Sequence, residues 1–244
     1  MLNTSATLAR LLHDLPAGYG PGLLGGDPAL CAQVLRVDGA AVSLGTDGAL
    51  TELVWATPGR STALDDMQCT MGEGPAFDAY GHCGLVAVPD LQRADPHRWP
   101  AFLPEAERLG VQALFCFPLR LGAVCLGTLT AQRAQAGPLA PDQLNDALIV
   151  TAAVTASLLR DTGRRTSFAQ AEPHTALHRA VVHQASGIIS VQAGISLPKA
   201  LALLRAHAYR TEQALLTIAE DVVARRLHFR NNPEGTVSPS GDRD

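Results

Sequence analysis

The chain has 244 residues, 47% hydrophobic and 5% aromatic, enough for one medium domain and one small one with aliphatic cores. The net charge of −4 divides unevenly: residues 1–159 hold 8 Lys/Arg against 15 Asp/Glu, whereas residues 174–230 hold 7 against 3, with five further histidines. An acidic front and a basic back place any anionic partner with the back.

Five cysteines, Cys31, Cys69, Cys83, Cys116 and Cys125, all lie in the front with no C-x-x-C pair, which argues against a secreted disulfide framework and a zinc ribbon. Met1 to Ser5 lacks the basic start of a signal peptide. The longest nearly apolar run, 147–159, is 13 residues, too short to span a bilayer. A cytoplasmic protein that stays off the membrane is expected.

In chain order, Leu8, Leu11, Leu12 and Leu15 recur at helical spacing, and a Gly/Pro-rich connector follows to residue 26. Asp27-Pro28 is a cap and first-turn pair for a second helix, with Gly39 as its stop. Ala40 to Leu44 and Ala49 to Ala56 form a predicted hairpin around Gly45 to Gly48. Short helices are expected at Ala63 to Met67 and Ala76 to Tyr80, a strand at Leu85 to Val88, and a helix at Trp99 to Leu109. Strands at Val111 to Leu119 and Val124 to Ala131 turn at Gly122. A helix at Pro141 to Arg160 carries the stripe Leu144, Leu148, Thr151, Thr155 and Leu158. This order describes an α+β domain around an antiparallel sheet, residues 27–160.

The segment resembles the GAF domain family in the Gly72-Glu73-Gly74-Pro75 turn, the strand ending Val88-Pro89-Asp90, and the strand-turn-strand from Ala113 to Thr130. The resemblance covers about Ala29 to Leu159 and implies a sensor with a small-molecule pocket. Trp55, Glu73, Phe77, Tyr80, Phe115 and Phe117 are the candidates to line it. Most of these aromatics also suit an ordinary core, and Glu73 suits a turn that starts a short helix. The cysteines read as small buried hydrophobes.

Residues 161–173 are polar and contain Gly163 and Pro173, a predicted linker; residues 231–244 carry Pro233, Gly235, Pro239 and Gly241, a predicted disordered tail. Between them, residues 174–230 hold three amphipathic patterns. The inner stripes expected are Leu177, Val181, Ala185, Ile188 and Val191; then Ala200, Leu201, Leu204 and Ala208; then Leu215, Ile218, Ala219, Val222 and Leu227. Gly194 ends the first helix, Ser196 and Pro198 open the second, and Thr211 can cap the third.

This three-helix bundle resembles the ANTAR family of bacterial RNA-binding antiterminators. The matching residues are Gln184-Ala185-x-Gly187-Ile188, Ala200-x-x-Leu203-Leu204-Arg205-x-His207-Ala208 and Ile218-Ala219-x-x-Val222-Val223. Ser186 stands where the family commonly has Lys. The resemblance implies hairpin RNA as partner, with Gln184, Ser186, Gly187, Arg205, Tyr209, Arg210, Arg225 and Arg226 as RNA-binding candidates. An amide reads base edges, arginine binds phosphate, tyrosine stacks and glycine admits close approach. The bland readings are a helix-packing patch at Gln184 to Gly187 and cations placed at a helix C-terminus for Arg225-Arg226.

The chain shows no GxxxxGK[ST] loop, zinc-binding His pair or nucleophile elbow. No catalytic residue, metal or cofactor is expected, beyond an unidentified small molecule in the GAF-like domain. The reading is a homodimeric, signal-responsive transcription regulator acting by antitermination. Its alternatives are a protein-interaction regulator without RNA binding and a cysteine-dependent GAF-fold redox enzyme.

Overall fold

The computed structural model describes residues 4–16, 24–46, 49–161, 175–211, 213, 215–231 and 237–241. The chain forms two compact units, Met1–Cys69 with Glu73–Glu172, and Pro173–Asp244 with Thr70–Gly72.

The first unit opens with α1 (Thr4–Asp14) and α2 (Pro28–Leu35). As the Asp27-Pro28 pair predicts, Asp27 caps α2 by accepting from the Ala29 amide at 2.8 Å. The helix stops earlier than Gly39: Arg36 takes the left-handed conformation (φ 54°), and Gly39 instead begins a strand. The strands are β1 (Gly39–Thr46), β2 (Ala49–Ala56), β3 (Val86–Val88), β4 (Ala113–Leu121) and β5 (Val124–Arg133). They pair antiparallel throughout in the order β2-β1-β5-β4-β3. Between β2 and β3 lie α3 (Arg60–Met71) and α4 (Pro75–His82); α5 (Phe102–Arg108) precedes β4, and α6 (Pro141–Asp161) follows β5.

The two faces of this sheet differ chemically. Val42, Trp55, Phe115, Phe117, Leu129 and Ala131 pack with Leu11 and Leu15 of the first helical segment, Val34 and Leu35 of α2, and Val150 and Val154 of α6. Side chains this large each stabilise the fold by about 1.5–3 kcal/mol on burial. Because Leu11 and Leu15 sit in that core, the first helix packs with the domain.

The predicted stripe of α6 is partly wrong. Ala147, Val150, Thr151, Val154, Thr155 and Leu158 are buried, while Leu148 is 52% exposed. Valines and alanines, compatible with either side by spacing alone, supply the inward face.

The second unit contains α7 (Thr175–Ala193), α8 (Leu197–Thr211) and α9 (Leu215–Val223). Gly194 (φ 65°) ends α7 as expected. Buried side chains are Val182, Ala185, Ile189 and Ala193 of α7; Ala200, Leu204 and Ala208 of α8; and Leu215, Ile218, Ala219 and Val222 of α9. The expected stripe of α7 is therefore turned by about one residue, leaving Val191 85% exposed. Leu177 falls outside the described side chains.

Two expectations for the end of the chain fail. Helix α9 stops at Val223, and Leu227 lies on a strand, β6 (Leu227–Asn231), which pairs antiparallel with β7 (Val237–Gly241). The arrest is local. Arg225 adopts φ 61°, its amide bonds the Val222 carbonyl at 3.0 Å and the Arg226 amide bonds that of Asp221 at 2.8 Å, a Schellman termination. The presumed disordered tail thus supplies a strand, and Phe229 enters the helical core. Thr211 ends α8, donating to the His207 carbonyl at 2.8 Å, and does not cap α9. The expected linker at 161–173 lies, from 162 on, outside the described residues.

Candidate functional site

On α7 the outward positions opposite the buried stripe are His183, Gln184, Gly187 and Val191; Gln184 and Val191 are exposed and Gly187 is half-buried. A Cβ built on Gly187 meets no atom within 4 Å among the described residues. Helix packing therefore gives no reason for a glycine there, although an interior helical glycine costs about 1 kcal/mol relative to alanine. The small-residue packing explanation fails at this position. What remains is an accessible notch flanked by an amide and an apolar side chain, shaped for close approach from outside.

Ser186, expected on the RNA-facing surface, is a correction. It is 3% exposed and its hydroxyl donates to the Val182 carbonyl at 2.8 Å. The turned stripe carries position 186 inward beside Ala185. Serine is small enough to be buried there and closes its own hydrogen bond within the helix.

The arginine candidates differ in availability. Arg226 is committed to Asp221, its Nε at 2.8 Å and a terminal nitrogen at 2.6 Å from the carboxylate. Neither Arg225 nor Arg226 belongs to the helix: both lie in the turn after α9, and Arg225 is exposed. On α8, Arg205 follows the buried Leu204, and Tyr209 is 74% exposed, as a stacking platform requires. Arg210 is exposed and its guanidinium lies 3.0 Å from His207 Nδ1. His207 meets the ring of Phe229 edge-on, with centroids 5.6 Å apart. Burial and then the Arg210 charge pull the His207 pKa below 6.5, so this imidazole resists taking up a positive charge.

The sensor candidates scatter. Trp55, Phe115 and Phe117 belong to the apolar core on the face of α1, α2 and α6, and the Trp55 indole donates to the Gly26 carbonyl at 3.2 Å. Glu73 is a cap: one carboxylate oxygen accepts from the Ala101 and Phe102 amides at 2.7 and 2.8 Å, at the start of α5. Phe115 and Phe117 border one small apolar cavity with Leu85, Ala87, Leu139 and Leu144, which Trp55 and Glu73 do not line. Phe77 and Tyr80 stand on α4, and the Tyr80 ring occupies the space over Gly45, where a Cβ would be 2.2 Å away.

The sheet face turned away from the apolar core carries the groups that sequence reading missed. Thr128, Thr130 and Gln132 alternate along β5, Ser43 lies on β1 directly opposite Thr128, and Ser61, Asp65 and Gln68 come from α3; all are buried. Ser43 donates to Asp65, Gln132 Nε2 donates to Ser61 at 3.0 Å, and the Ala76 amide donates to Gln68 Oε1 at 2.9 Å. Thr128 Oγ1, Gln132 Oε1 and Gln68 Nε2 have no hydrogen-bond partner among the described residues. Unfulfilled buried polar atoms cost roughly 1–3 kcal/mol each, and an interior so built suits a polar guest. The signal was legible as strict alternation of Thr128, Thr130 and Gln132 with the apolar Leu129 and Ala131. Among the described residues no group of three metal-ligating side chains gathers, and no helix is long and apolar enough to cross a membrane.

Residues 174–223 match the family model of the ANTAR domain. The front unit shares the GAF fold. It is similar to the GAF domain of a phosphoenolpyruvate-protein phosphotransferase from Coxiella burnetii, at 15% identity and TM-score 0.52, covering 67% of this chain and 96% of that one. The corresponding Acinetobacter domain aligns at 13% identity and TM-score 0.48, over 67% of this chain and 98% of that one. Free methionine-R-sulfoxide reductase from Neisseria meningitidis aligns at 13% and 0.47, over 67% and 95%. No curated protein matches the chain.

Proposed function

We propose that this chain, an ANTAR domain behind a domain of GAF fold, is a signal-responsive transcription regulator whose ANTAR domain binds hairpin RNA and prevents termination. The family match over residues 174–223 carries this reading. The accessible notch at Gly187, bordered by exposed Gln184, supports it, as do the exposed Tyr209, Arg210 and Arg225.

The GAF-fold domain takes a small polar molecule against the buried face of Ser43, Asp65, Thr128 and Gln132, and occupancy shifts the population of RNA-competent chains. The protein works by binding, without turnover, in the cytoplasm. It pairs as a homodimer through the outward side of α6, where Leu148 is 52% and Ile149 38% exposed. Sizing at micromolar concentration gives twice the chain mass on this reading; a monomer there removes the dimer.

Equilibrium binding of the full chain to paired short hairpins, a scrambled single strand and duplex DNA tests the RNA function. The hairpins bind most tightly, with affinity falling as salt rises because phosphate contacts release counterions. Equal, weak affinity for all three nucleic acids defeats the proposal, and a stable protein partner without RNA favours a protein-interaction regulator instead.

A further inference from the structure

The five cysteines are not equivalent. Cys31 and Cys116 are fully buried, and burial pushes both thiols up to about 12; such thiols are inert packing. The Cys69 thiol lies 3.6 Å from the Leu50 carbonyl. Cys83 and Cys125 are half-buried and neighbour each other, and the Cys125 thiol donates to the Gly127 carbonyl at 3.4 Å.

Two backbone irregularities bring them together. Cys83 ends α4 in the left-handed conformation (φ 50°), with its own amide on the Tyr80 carbonyl and the Gly84 amide on that of Ala79. On the sheet, pairing shifts between Leu119 and Arg120, so that Leu119 faces Gly127 and Arg120 faces Cys125, leaving Leu126 as an extra residue. A bulge of this kind reverses the alternation of side chains. Leu126 packs against the apolar core, and Cys125 turns to the opposite side, where Cys83 stands. Glycines at 81 and 84 flank Cys83, and a Cβ on Gly81 would meet nothing within 4 Å, so the helix end has room to adjust.

We propose that Cys83 and Cys125 form a redox-modification site at which a hydroperoxide converts the thiol pair to an intrachain disulfide. The Cys83 sulfur attacks one peroxide oxygen; the O–O bond breaks, the alcohol or water leaves with the thiol proton, and Cys83 becomes a sulfenic acid. The Cys125 sulfur then attacks that sulfur. The S–S bond forms, the S–O bond breaks, and the Cys125 proton departs with hydroxide as water. Two electrons pass from the two thiols to the peroxide.

The order follows from the surroundings. The Cys125 S–H is held on the Gly127 carbonyl, and burial first, then the Cys83 thiol, push it up to about 11, which keeps it protonated as the second thiol to react. The bond ties the end of α4 to β5, the strand that carries Thr128, Thr130 and Gln132.

The test treats reduced full-length protein with hydrogen peroxide. Free thiols fall from five to three, the intact mass drops by about 2 Da, a non-reducing peptide map joins Cys83 to Cys125, and a thiol reductant reverses all three. In Cys125→Ser the reaction halts at a sulfenic acid on Cys83, trapped by dimedone; in Cys83→Ser no disulfide forms. Amide hydrogen exchange across α4 slows in the oxidised wild type. Five surviving thiols, a different pair, links between chains, or sulfinic acid on Cys83 of the wild type overturns the site. Unchanged exchange in α4 overturns the tether.

Discussion

A Cβ placed on Gly127 of β5 would lie 2.0 Å from the carbonyl oxygen of Ser43 on the neighbouring strand β1. The obstruction is backbone, and backbone within a paired sheet cannot swing aside as a side chain does. Gly127→Ala is expected to destabilise the first unit by about 3 kcal/mol, read as a lower midpoint in urea. A midpoint within error of the wild type would show that the strands separate there at little cost.

Glu73 holds the first amides of α5. Replacing it with Ala frees the Ala101 and Phe102 amides and costs about 1 kcal/mol, as loss of a helix cap does, without altering small-molecule binding at the polar face. Thermal melting checks the first part, and calorimetric titration with any ligand found checks the second. Lost ligand binding with unchanged stability would restore Glu73 to the pocket.

The pH dependence of the second unit is expected to carry the mark of His207. Its folded pKa lies below 6.5, through burial and then Arg210, so between the folded and unfolded values the unfolded chain binds more protons. Stability therefore rises with pH through that window, levels off above about 6.5 and is lost as pH falls. His207→Gln removes this contribution. Urea unfolding at mildly acidic and mildly basic pH, wild type against variant, measures it; identical slopes would rule it out.

Gly187 separates folding from binding. Gly187→Ala is expected to raise the stability of α7 by about 1 kcal/mol, because the space is open, and to weaken hairpin binding, because the notch is filled. Gln184→Ala leaves stability unchanged within about 0.5 kcal/mol and weakens hairpin binding about tenfold. Unaltered RNA affinity in both variants would place the interface elsewhere.

Element order, the Asp27 cap and the Gly194 stop were legible because they are written in one or two residues each. The orientation of α7 was not: Val181, Val182, Ile188, Ile189 and Val191 allow two stripes one residue apart, and only packing against α8, α9 and β6 selects between them. The same turn buried Ser186. The aromatics are ambiguous in sequence because size marks a core as readily as a pocket, and Phe115 and Phe117 serve both, whereas Thr128, Thr130 and Gln132 reveal themselves once the face shared with Ser43 is known. The strand β6 was hidden by helical spacing at Leu227, and the left-handed break at Arg225 had no glycine to announce it. Cys83 and Cys125 stand 42 positions apart, and nothing local in either stretch announces their meeting.

The chemical difference between the two sheet faces has a consequence for how this domain diversifies. Exchanges among Ser43, Thr128, Thr130 and Gln132 swap one hydrogen-bonding pattern for another, at about 1 kcal/mol apiece, and leave the packing of Val42, Leu129 and Phe117 untouched. Truncating one of those three opens a cavity, at about 2–5 kcal/mol. On the proposed function, recognition and durability are thus written on opposite sides of the same strands. A lineage of such proteins can change the message it hears while keeping the instrument in tune.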